Sequence, residues 1–133
     1  MYDLLKNIAD DNNWFFEYSR KDYQNLYDGM EIDKVHLFVD PITVDSKFSD
    51  SGHETFTYSG QLMLLVSSDV DQTYQEKYLT LIKPLIQTAS QSLKNALICS
   101  DFELVKFTTL EAINIFDQNL DGVVITYSIN QNY

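Results

Sequence analysis

The sequence predicts an α+β fold: a mainly antiparallel or mixed sheet packed against one long helix plus a short N-terminal helix. Three observations carry this expectation. A single apolar stripe at helical spacing runs through residues 71–97. Segments that alternate apolar and polar residues precede and follow it. The chain has 133 residues, 44% of them hydrophobic, which fits one domain (1–133) with enough apolar material for a core.

Taken in order, residues 2–10 carry Leu4, Leu5 and Ile8 at helical spacing, and Asp11-Asn12-Asn13 ends that helix. Trp14-Phe15-Phe16-Glu17-Tyr18 is rich in strand formers. Val35, Leu37 and Val39 share one face of a second strand, which Asp40-Pro41 interrupts, because proline has no N–H to give a ladder. Residues 42–48 resume the strand, and the polar run 49–53 reads as a loop. Residues 54–67 form the longest strand, with a bulge expected at Gly60.

The long helix follows. Asp69 or Asp71 is its expected N-cap, and Pro84 is expected to kink it at mid-length. Two or three strands complete the chain. One begins at residue 102 and one at 111, and the last, 123–129, places Val123, Ile125, Tyr127 and Ile129 on one face. Asp121-Gly122 reads as the turn before it.

Composition narrows the function classes. Twenty Asp and Glu against nine Lys and Arg give a net charge of −11, which disfavours nucleic-acid binding, sequence-specific or not. No run approaches the about 20 apolar residues that span a bilayer, so no membrane partner is expected. Cys99 is the sole cysteine, lies in an apolar run, and reads as a buried structural thiol in a reducing cytoplasm.

Catalytic signatures do not emerge. The only histidines, His36 and His53, have no motif around them. Four glycines leave little for a phosphate cradle, and no nucleophile elbow or metalloprotease helix occurs. Asp117-x-Asn119-x-Asp121-Gly122 matches the opening of a calcium loop. Ser128 then stands where a bidentate Glu is needed, so an ordinary Asx-and-Gly turn is the favoured reading. The expectation is a non-enzyme with no cofactor and no metal.

One layout resembles that of a known family. The run 42–66, the long helix with its central Pro84, and Asn-Ile-Phe-Asp-Gln-Asn-Leu-Asp-Gly-Val-Val-Ile-Thr at 114–126 resemble the small tail-terminator, or tail-completion, proteins of long-tailed bacteriophages and prophages. The resemblance covers most of the chain after Lys34. It implies a sheet packed with helices and a ring, usually hexameric, that caps the tail tube and meets the head connector. It therefore implies a virion protein, present in the host cytoplasm during assembly, whose partners are itself, tail-tube protein and connector protein. The contact elements expected on this reading are the bend at Asp40 and Pro41, the 49–53 loop with Asp50 and His53, and the 114–122 loop with Asp117, Asn119 and Asp121. The alternative is a small-ligand-binding or regulatory domain of a bacterial protein, its aromatic residues lining a pocket.

Overall fold

The computed structural model describes residues 1–19, 34–67, 73–115 and 120–132. Helix α1 (Tyr2–Asp11) buries Leu5, Ile8 and Ala9. It stops where Asn13 turns left-handed at φ 60°, a conformation asparagine tolerates better than most residues. The Asn12 side chain donates to the Ile8 carbonyl at 2.8 Å, occupying one of the acceptors the helix end leaves open.

The strands are β1 (Phe15–Tyr18), β2 (His36–Val39), β3 (Thr43–Phe48), β4 (Glu54–Ser67), β5 (Glu103–Ile115) and β6 (Leu120–Asn132). They form one sheet in the order β1-β2-β4-β6-β5. β3 also pairs with β4, so β2 and β3 share one edge of that strand in tandem. β1 and β2 are parallel, and the other pairs are antiparallel. The sheet is thus mixed, and the fold is α+β with a long helix and a short N-terminal one.

Pleat alternation decides what each face does. Leu37, Val39, Leu62, Leu64, Val123, Ile125, Tyr127 and Ile129 point to the helices and form the main core. Phe38, Met63, Leu65 and Leu120 form a smaller cluster on the opposite face. There His36, 1% exposed, stacks between Phe15 at 5.2 Å and Phe38 at 6.1 Å.

The long helix, α2 (residues 74–98), crosses the first face with Ile82, Leu85, Ala89, Leu93 and Leu97. Its N-cap is Thr73 rather than an aspartate, and Asp69 and Asp71 lie outside the described residues. Thr73 and Glu76 make a reciprocal capping box, at 3.2 Å and 3.0 Å.

Two π-helical stretches, Tyr78–Ile82 and Ile86–Ser90, flank the short α-helical segment that holds Pro84. The core row 85, 89, 93, 97 explains their use. At about 3.6 residues per turn, each four-residue step rotates the row by about 40°. The wider π turn removes part of that rotation and keeps the row on the sheet. It also accommodates the ladder hydrogen bond that Pro84 cannot donate.

Several other expectations are corrected. β4 pairs with β6 without a break from Thr55 to Ser67, so Gly60 is not a bulge. β5 is one strand, with register shifts near Leu104 and beyond Ala112, rather than two strands. Asp121 and Gly122 lie inside β6, not in a turn. Cys99 is exposed, because it falls just past the end of α2 rather than on its core stripe. A thiol reagent is therefore expected to modify Cys99 stoichiometrically in the folded protein, as thiol titration without denaturant would report.

Candidate subunit interface

β3 and the first half of β4 form a hairpin arm. All six residues of β3 are exposed. The tip is ordered by its own hydrogen bonds. Ser49 N–H donates to the His53 carbonyl at 2.9 Å, Gly52 N–H to the Ser49 carbonyl at 2.9 Å, and His53 N–H to Ser49 Oγ at 3.1 Å. Gly52 takes φ 83°, open to glycine at little cost. Asp50 and His53 are both exposed at this tip. The arm also presents Val44 at 52% and Phe48 at 69% exposure, which a solvated hairpin has no need of.

At the root of the arm is the Asp40-Pro41 bend. Asp40 N–H donates to the Gln61 carbonyl at 3.1 Å, and Ile42 N–H donates to Tyr18 Oη at 3.3 Å. Pro41 is exposed and Asp40 half-buried. Tyr127 supports the bend from below. It stands opposite Gly60, and a methyl group on Gly60 would meet Tyr127 Oη at 3.4 Å and the Pro41 carbonyl oxygen at 3.6 Å.

The Tyr127 hydroxyl is buried and makes no hydrogen bond among the described residues. Burial raises its pKa well above the ordinary phenol value of 10.0, and the neighbouring Tyr18 and Asp40 charges raise it further. The sign for stability follows from that direction. Below the unfolded pKa, both states hold the proton and stability is full. Above it, the unfolded chain loses the proton first, and stability falls by about 1.4 kcal/mol per pH unit until the folded pKa is reached. Tyr127→Phe is expected to abolish this alkaline slope. It should also leave neutral-pH stability unchanged or raise it by up to about 1 kcal/mol, because an unsatisfied buried hydroxyl is removed. Urea titrations of both chains at neutral and alkaline pH test this.

The predicted contact residues therefore separate. Asp50 and His53 lie at the tip, Asp40 and Pro41 at the root, and β3 runs between them. Asp117 and Asn119 lie outside the described residues. Asp121 is not a surface contact at all. It is fully buried under α2, with Lys77 Nζ 3.6 Å from its carboxylate. The odd-numbered positions of β6 face the helix, and Asp121 is one of them. Sequence reasoning also missed the exposed apolar residues of the outer strand β5, Val105 at 58% and Leu110 at 68%. Their alternation was visible, but which face lay open was not.

Among the described residues, no three His, Cys, Asp or Glu side chains gather as a metal-binding group. No described helix is long and apolar enough to cross a membrane. A scan of protein-family models finds none that matches this chain, and a search of curated proteins finds no significant match either.

Proposed function

We propose that the protein is a structural subunit of a phage or prophage tail, of the tail-terminator or tail-completion kind, acting through contacts with its own copies and with tail-tube and head-connector proteins. One observation supports this most: large apolar side chains are exposed on two outer strands, Val44 and Phe48 on β3, and Val105 and Leu110 on β5. A ring subunit needs two non-equivalent sticky surfaces, since head-to-tail contacts close into a ring. The layout of sheet, Pro84 helix and final strands agrees with the family resemblance. The net charge of −11 suits a ring lumen through which DNA passes without adhering. On this reading the subunit resides in the virion neck and is assembled in the host cytoplasm.

The test is electron microscopy of particles produced without this subunit. Abnormally long tails or tails lacking heads are expected. Normal virions of normal tail length would refute the reading.

A further inference from the structure

We propose that β3 is a self-recognition edge, pairing antiparallel with β3 of a second copy about a two-fold axis through Ser46. Among the described residues the outer edge of β3 is unpaired, since its only partner is β4. An exposed edge strand of this kind presents a row of free N–H and C=O groups to any matching strand.

The sequence of β3, Thr-Val-Asp-Ser-Lys-Phe, supplies the match. Pairing about Ser46 sets Asp45 against Lys47 of the second copy, and Lys47 against its Asp45. On the other face, Val44 meets Phe48 of the second copy, twice. Directly opposed residues in an antiparallel pair have Cβ atoms about 5 Å apart, so both kinds of pair make contact.

The pleat restricts the alternatives. A one-residue slip would put the two copies' faces out of phase, so only slips of two residues keep the sheet continuous. A two-residue slip one way sets Asp45 against Asp45 of the second copy. The other way sets Lys47 against Lys47. Of these three registers, one is attractive and its neighbours are repulsive, which selects a register and rejects its competitors.

Both charges are available for this. Among the described residues neither Asp45 nor Lys47 forms an ion pair within the chain. The strand is also locally neutral on a chain of net charge −11, so two copies meet at β3 without the repulsion that holds elsewhere. This contact uses one surface twice and closes on itself. It uses the exposed Val44 and Phe48 of β3 that the proposed ring also needs, so the two contacts exclude each other on any one subunit.

The experiment follows self-association of the full chain by sedimentation velocity. The native chain is expected to form a reversible dimer. Asp45→Lys should weaken it about tenfold or more, because both cross-strand pairs become repulsive. Asp45→Lys with Lys47→Asp should restore it, since the swapped order is again self-complementary. With Cys99→Ser as background, Ser46→Cys should oxidise to a disulfide-linked dimer, while Thr43→Cys, distant from the axis, should not. A native chain that stays monomeric to about 1 mM overturns the pairing, since mM is the weak end of specific association. So does a dimer indifferent to both charge changes, or one that Thr43→Cys cross-links as readily as Ser46→Cys. The last two outcomes leave the tail-subunit reading standing.

Discussion

Gly122→Ala is expected to destabilise the fold by about 3 kcal/mol or more, the upper range for overpacking a rigid site. The reason is a close approach of backbones rather than a turn. Gly122 is opposite Leu65 of β4 on one side and Ala112 of β5 on the other. A Cβ built there would lie 1.9 Å from the Leu64 carbonyl oxygen, 2.9 Å from its carbon and 3.0 Å from Leu65 Cα. All three atoms belong to the backbone of β4, the strand that pairs with β2, β3 and β6. No side chain can rotate away, so relief requires separating β4 from β6.

Gly52→Ala is the comparison. It has nothing within 4 Å of its added methyl, and pays only for its φ of 83°, about 1–2 kcal/mol. Chemical denaturation of the two variants tests the ordering. A Gly122→Ala protein within about 0.5 kcal/mol of the native chain, the range of neutral surface changes, would refute the close approach.

The second large effect concerns Lys77 and Asp121. Both side chains are fully buried, with Nζ and the carboxylate 3.6 Å apart. Lys77 lies in the first turn of α2, where the helix dipole disfavours a cation, so the carboxylate beneath it also offsets that term. Removing one partner takes a close opposite charge away from the other in the core. Lys77→Met and Asp121→Asn are each expected to cost about 3–5 kcal/mol. Replacing both, as Lys77→Met with Asp121→Val, removes the desolvation penalty together with the attraction. It should recover much of the loss, with a coupling of about 2 kcal/mol or more in a double-mutant cycle. Additive losses would mean that the two groups do not act as a pair.

These two sites explain what the sequence made legible. Local periodicity was enough for α1, β4, α2 and the core face of β6, because each is fixed by residues two, three or four apart. Asp121-Gly122 was misread because the same dipeptide serves a turn or a close strand approach. Only the position of Leu64 decides between them. The burial of Asp121 likewise depends on Lys77, which is far away in sequence. Cys99 was read as buried from the apolar run it closes, but it stands at the C-cap of α2, past the core stripe, and is exposed.

Pro84 was correctly found inside the long helix, but its partners in accommodating it, the two π stretches, leave no signature in hydropathy. Of the contact residues, the tip and root of the arm were recognised as loop and bend. The strand between them, with its alternating charges and apolar groups, was not singled out. β3 is exposed on both faces, so burial gives it no pattern to read.

That exposure also sets how the arm behaves in time. β3 is held by backbone bonds to β4, while the β4–β6 centre carries the packed core. Amide hydrogen exchange should therefore separate β3 from the central part of β4. Protons near Leu62 and Leu64 should exchange only on global unfolding, and those of β3 through local opening of far lower free energy. If exchange divides this way, the arm unzips from its tip without disturbing the helical layer, and the edge of β4 from Glu54 to Ser59 is transiently uncovered.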